Sequence, residues 1–503
     1  MLLLRKKLLA RNTFSSLLYQ ITAIICGFIV PRLLLSHFGS EINGLTQSIA
    51  QFLHVIAFLE MGVGAVIESS LYKPLAEKNN IEISKVMASA NKFFRSLAFI
   101  LAVYVVLLIF VYPQISNQNF DFVFTATLIL AICISSFAQY YFGIVNSLLL
   151  AADQHGYVNY LLQTGTIILN TIACVTLIHM DASIQMVKFA TSVIFLLRPI
   201  ILKLYVSRNY NINWDIEYQG EPIRQKWNGV AQHFAAIVLD STGYIVLTVF
   251  SSLTNVSIYS MYMLVVNGAK QMFMSMTVGI QAIFGELWAR NEKEKLIYFF
   301  SLVEWALHSF VTITFGSLLF VILPFISVYT KGVVDANYQQ PLFAFFLVMA
   351  FASRCIRLPY NMMILAVGHF KETQSNYVVA ALLNITVSII TVKLWGLVGV
   401  AMGSFVALLY QIIWMINYNS KNIIHWPIKN TAKQIAVDLC IVGISYFVTS
   451  WISLKELNYF DWFIMAFEIF VIVVMIWIGV NCLFYKDNLF LVKHHLFSRR
   501  KKI

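Results

Sequence analysis

Arg354, Arg357 and Asn361 stand at i, i+3 and i+7 in an apolar run, so a helix carries all three on one face. Near mid-bilayer each arginine costs about 2.5 to 3.5 kcal/mol on insertion scales, a penalty that something must offset. An anionic ligand offsets it, and the planar guanidinium suits diphosphate because it donates two parallel hydrogen bonds to phosphate oxygens. Pairing with a buried carboxylate is the structural alternative. Asn267, Lys270 and Gln271 share a second face, and His233, Asp240 and Tyr244 recur at i, i+7 and i+11 on a third. Lys270 and Asp240 are central charges on consecutive apolar segments, and both an ion pair and a substrate or proton role fit them. Asn43, Gln47, Gln51 and His54 form a neutral ladder suited to sugar hydroxyls and equally to hydrogen bonds between helices. Arg32 follows Pro31 near the end of a segment and can snorkel, whereas Glu60 lies too deep to do so cheaply.

No catalytic or metal constellation accompanies these residues. GxxxxGK[ST], HExxH, GxSxG and paired carboxylates are missing from the sequence, so no catalytic residue, metal or cofactor is expected. All six cysteines, Cys26, Cys133, Cys174, Cys355, Cys440 and Cys482, fall in apolar segments without close pairing and read as small apolar residues.

The elements that hold these residues follow from composition. With 59 % hydrophobic and 12 % charged residues among 503, the solvent is lipid, and apolar runs of twenty or more residues must be helices. The expected fold is therefore an all-α, polytopic membrane protein of about fourteen transmembrane helices. Windows of about nineteen residues place spans near 13–35, 43–66, 93–113, 121–150, 157–179, 184–206, 229–251, 256–287, 296–326, 341–367, 372–393, 397–418, 433–453 and 460–484. Pro359 should kink the tenth of these next to its arginines. Gly396, Gly399 and Gly403 read as sites of close helix approach.

Most of the 35 Lys and Arg fall on the side of the amino terminus, so both termini are expected to be cytoplasmic in a multi-pass protein of the cytoplasmic membrane. The net charge of +12 is then membrane topology, not a nucleic-acid footprint, and the basic tail at 486–503 suits anionic membrane lipids. The first apolar segment is too long for a cleaved signal and is expected to remain.

The longest polar connection, residues 207–228, separates an N-terminal six-helix lobe at 1–206 from a C-terminal six-helix lobe at 229–418. An extra two-helix hairpin and basic tail follow at 419–503. The hairpin LLLAADQHGYVNYLL at 148–162 returns as MILAVGHFKETQSNYVV at 363–379, and the exit YPQIS at 112–116 as LPFIS at 323–327. Both echoes link spans six apart, which predicts two lobes related by a parallel repeat with a binding cleft between them.

Taken together, PRLLLSHFGSEINGL at 31–45, FLEMGVGAVIESSLYKPLAEKN at 58–79, SIYSMYMLV at 257–265, and Asn384 with WGLVGVAMG at 395–403 give a resemblance across most of the twelve-span core. The chain resembles the polysaccharide (oligosaccharidyl-lipid) flippase branch of the multidrug, oligosaccharidyl-lipid and polysaccharide exporter superfamily. That resemblance implies two lobes in a V around a central cavity, alternating access, and export of a lipid-linked oligosaccharide for cell-surface polysaccharide biosynthesis. Polysaccharide assembly enzymes are the implied partners. The family lacks a strict site motif, so no site residue is carried over from it. An ion-coupled multidrug exporter of the same fold is the alternative, although such a cavity is usually acidic. A polytopic polysaccharide polymerase or ligase should present a large outer loop, and the longest here, residues 327–340, is short. A non-transporting scaffold would seal its polar stripes by pairs between helices.

Overall fold

The computed structural model describes residues 2–116, 120–218, 220 and 230–489, and every regular element among them is helical. Twelve of these helices have the length and composition to cross a membrane. Two further stretches reconcile this with about fourteen spans: the first long helix bends into two arms, and the apolar part of one helix, Phe234–Phe250, is short. The chain is a multi-pass helical membrane protein. It divides into two compact units, Met1–Ser260 and Met261–Ile503.

The first unit begins with α1 (Leu2–His54), which bends at Gly39, where φ is 81°. Glycine tolerates that left-handed region because it lacks Cβ. A loop expected between the first two spans is therefore absorbed into one bent helix. The chain continues through a 3₁₀ turn, Val55–Ala57, into α2 (Phe58–Glu77), so the second span runs past its expected end. Next come α3 (Asn80–Ile115), α4 (Phe122–Ala138), a π-helical turn (Gln139–Gly143), α5 (Ile144–Ala152), α6 (Gly156–His179), α7 (Ile184–Asn209) and α8 (Val230–Phe250). α1 packs against α6 and α8, and α7 against α4 and α6. Asn12 binds the α5–α6 turn by donating to Gln154 O at 2.8 Å and accepting from Tyr157 N at 2.7 Å. Tyr210, just past α7, donates to Asp153 Oδ2 of that turn at 2.6 Å, and burial together with this carboxylate pushes the phenol pKa up.

α9 (Leu253–Ala289) begins in the first unit and runs into the second; α10 (Lys293–Tyr329) follows. Each has 37 residues. At 1.5 Å per residue each is about 55 Å long, well beyond a hydrocarbon core of about 30 Å, so their ends stand in the head groups and water. The tenth expected span is interrupted at Arg357 itself, between α11 (Pro341–Ile356) and α12 (Leu358–Val367), two residues before Pro359, whose kink is expected beside the arginines. α13 (Phe370–Trp395) and α14 (Leu397–Asn422) form a close pair. A Cβ on Gly399 would stand 2.3 Å from Thr391 O, and one on Gly403 2.1 Å from Ser388 Oγ. Close approach is the role of both glycines, whereas Gly396 makes the turn with φ 53°.

α15 (Ile428–Thr449) and α16 (Tyr459–Phe484) pack on α10. Part of this contact is apolar, Val321 against Met465, Ile469 and Val473. The rest is polar and buried. Trp305 Nε1 donates to Asn481 Oδ1 at 2.9 Å, His308 Nδ1 lies 2.7 Å from Asp438 Oδ2, and Glu304 accepts from the hydroxyls of Thr431 and Tyr360. Away from α10 the hairpin exposes Phe447, Phe460, Phe467 and Met475, as lipid-facing helices do.

Candidate functional site

The residues expected to bind substrate, and Arg32, Glu60 and Asp240, expected to couple or to form charge pairs, fall in both units. Arg354, Arg357, Asn361, Lys270, Asn267 and Gln271 belong to the second; Gln47, Gln51, His54, Arg32, Glu60 and Asp240 belong to the first.

In the second unit the break between α11 and α12 sets the arginines. Arg357 occupies the break with φ −66° and ψ −20°, and its side chain is buried. Its Nη1 donates to Gln411 Oε1 of α14, and its guanidinium stands 5.8 Å from the centroid of the Tyr377 ring on α13. Tyr377 in turn donates its hydroxyl to Asn361 Oδ1. Arg357 and Asn361 thus meet on one tyrosine, as their spacing predicts. Arg354, one turn earlier, is half-buried. Lys270 of α9 places its ammonium 5.5 Å from the centroid of the Phe351 ring, three residues before Arg354. Three cations from two helices therefore gather within two turns of α11, and an anion is the ligand that such a group suits. Asn267 is half-buried and Gln271 exposed on the same helix as Lys270.

In the first unit the neutral ladder divides by function. Asn43 Nδ2 donates to Ser257 Oγ at 2.7 Å, and Gln51 Oε1 accepts from Ser241 Oγ at 3.5 Å, so these two join helices. Gln47 and His54 instead line a cavity of about 300 Å³, with Ser136 and Tyr140 on one side and Lys188 and Thr191 on the other. Tyr140 belongs to the π-helical turn, a feature frequent at functional sites. Arg32 and Asp240 are half-buried. The side chains of Glu60 and His233 lie outside the described residues.

Sequence reasoning missed Gln411, Tyr377 and Lys188, and it missed the buried set Glu304, His308 and Asp438. Gln411 and Tyr377 carry no sequence signal beyond polarity. Lys188 stands one turn into a span, where a lysine is normally read as snorkelling. Glu304 and His308, at i and i+4 in an apolar span, were legible, since ionisable residues inside a membrane helix need an explanation.

No family model matches the sequence, nor does any of the curated proteins compared with it. Solved structures do match. The lipid II flippase MurJ, in an inward closed conformation, superposes with a TM-score of 0.71 at 14 % identity, covering 94 % of this chain and 100 % of that one. A multidrug resistance MATE family transporter of the MOP superfamily, inward-facing, gives 0.56 at 14 % identity, covering 80 % and 94 %. The MATE transporter VcmN of Vibrio cholerae gives 0.57 at 12 %, covering 84 % and 99 %. These neighbours are a flippase and transporters, and the chain shares their fold.

Proposed function

We propose that this protein is a flippase that moves a polyprenyl-diphosphate-linked oligosaccharide from the inner to the outer leaflet of the cytoplasmic membrane by alternating access. The observation that carries the reading is the cationic group of Lys270, Arg354 and Arg357 on the second unit. Arg354 and Lys270 meet the diphosphate, and Arg357, held by Gln411 and Tyr377, fixes the helix break beside them. The glycan takes the polar surfaces, and the lipid tail stays in the bilayer. Weaker phosphate binding in the outward state releases the product.

Length adds support. The lipid II flippase aligns with 94 % of this chain and the MATE transporters with 80 to 84 %, a difference of 10 to 14 %. That share is about the size of the α15–α16 hairpin, Ile428 to Phe484. The drug-exporter reading shares the fold, but cationic drugs are poorly held beside Arg354 and Lys270 with Arg357 buried behind them.

The test is flipping in proteoliposomes loaded with a fluorescent polyprenyl-diphosphate oligosaccharide, scored by access of an external quencher. Arg354→Ala should lower the rate about tenfold or more, the worth of a charge-assisted hydrogen bond, at unchanged protein abundance. Flipping of normal rate in the Arg354→Ala, Lys270→Ala double variant would overturn the reading.

A further inference from the structure

The cavity of the first unit is lined by Lys188 but by no carboxylate. Its volume, about 300 Å³, stands at the bottom of the range for small-molecule sites, room for one sugar ring and not for an oligosaccharide. A lysine one turn into a span can extend past the helix end to the head groups. Lys188 instead borders the cavity, half-buried, and its ammonium makes no hydrogen bond or ion pair with any described residue.

The hydroxyls around it are sorted by what they already bind. Thr191 Oγ1 donates to Val187 O at 3.0 Å, and Ser192 Oγ donates to Ala131 O at 2.5 Å. Their single protons are spent on backbone carbonyls, so toward a ligand these two residues are acceptors. Donors remain beside and across from them: the Lys188 ammonium on the same helix, and the Gln47 amide and the Ser136 hydroxyl on the facing walls. A lysine flanked by donors suits an anionic oxygen group, and hydroxyl acceptors beside it suit a ligand that donates hydroxyls of its own.

We propose that this cavity is a subsite for an acidic sugar, with its carboxylate on Lys188 and its ring hydroxyls donating to Thr191 and Ser192. The proposal rests on the reading of the protein as a glycan carrier and deepens it, because the transported oligosaccharide would then contain a uronic-acid type residue. A bare phosphate satisfies the lysine but carries no ring hydroxyls to reach the two acceptors.

The experiment uses the full-length protein in nanodiscs, with its thermal midpoint read by tryptophan fluorescence at fixed ionic strength. Sodium glucuronate, glucose and sodium phosphate are the probes. Glucuronate should raise the midpoint saturably, while glucose and phosphate should not. Lys188→Met should raise the half-saturating glucuronate concentration about tenfold or more, as expected for losing a charge-assisted hydrogen bond, and Lys188→Arg should restore part of it. Ser136→Leu, which fills the cavity from α4 and keeps the lysine, should also abolish the shift, which guards against misfolding of the lysine variants. No glucuronate shift in the wild type, the same shift in Lys188→Met, or a shift by phosphate in place of glucuronate would each overturn the proposal. Arg354→Ala should keep the glucuronate shift while losing flipping, so failure of the flippase reading and failure of this subsite are separately visible.

Discussion

Replacing Asp438 probes how the last two helices are held. His308 is fully buried, and its Nδ1 lies 2.7 Å from Asp438 Oδ2, while Asp438 Oδ1 accepts from Gln434 Nε2 at 3.1 Å. Asp438→Ala leaves an imidazole and an amide where neither lipid nor protein supplies a partner. Removing one member of a buried pair costs about 3 to 5 kcal/mol. Asp438→Asn keeps an acceptor and the volume, so its cost falls to that of a hydrogen bond to a charged group, about 1.5 to 3 kcal/mol. His308→Leu combined with Asp438→Leu removes both groups. Such apolar replacement is often neutral, or stabilising by about 1 to 4 kcal/mol. His308 Nε2 is already buried without a hydrogen-bond partner, which favours that direction. The expected order of damage is therefore alanine, asparagine, double leucine. Reversible unfolding of the full-length protein in mixed detergent micelles with increasing dodecyl sulfate measures it. If the double-leucine variant lost as much as the sum of the two single leucine variants, the residues would be uncoupled and the reasoning wrong.

Three further outcomes are expected. Arg357→Lys should lower both flipping and thermal stability, because it keeps the charge but loses the guanidinium bond to Gln411 and its planar face toward Tyr377; flipping assays and unfolding midpoints read the two effects separately. Gly399→Ala should cost at least as much as core overpacking, about 1 to 3 kcal/mol, since its Cβ would stand 2.3 Å from the Thr391 carbonyl oxygen, whereas Gly279→Ala, with open space around it, should be tolerated, as unfolding midpoints would show. A cysteine at Asn337 should be labelled by an impermeant reagent in intact cells and one at Lys501 should not; the reverse pattern would invert the proposed topology.

Much of the fold was legible because a bilayer leaves few solutions: long apolar runs become helices, and their number and limits follow from hydropathy. The misreadings have local causes. The bend at Gly39 needs only one residue with positive φ, so no polar loop announces it. The second span is broken at Val55–Ala57 inside an apolar stretch where hydropathy has no contrast. Arg357 and Asn361 were placed on one face by spacing alone, and Tyr377 does join them. Which rung of the Asn43 to His54 ladder joins helices depends on α8 and on the start of α9, and which meets a cavity depends on α4 and α7, whose register no local pattern encodes.

The polar seam between α10 and the last two helices also sets a problem of timing. His308 and Asp438 are 130 residues apart in the chain. At 5 to 20 residues per second, α10 enters the membrane roughly 6 to 26 s before its carboxylate partner has been made. During that interval Glu304, Trp305 and His308 stand in a nascent chain without Thr431, Asp438 or Asn481 to satisfy them. Biogenesis must therefore shelter α10, within the insertion machinery or against an attendant chaperone, until the carboxyl-terminal helices arrive. A chain cut after residue 422 would hold that unfinished state permanently, which makes α10 the segment that quality-control proteases should recognise first.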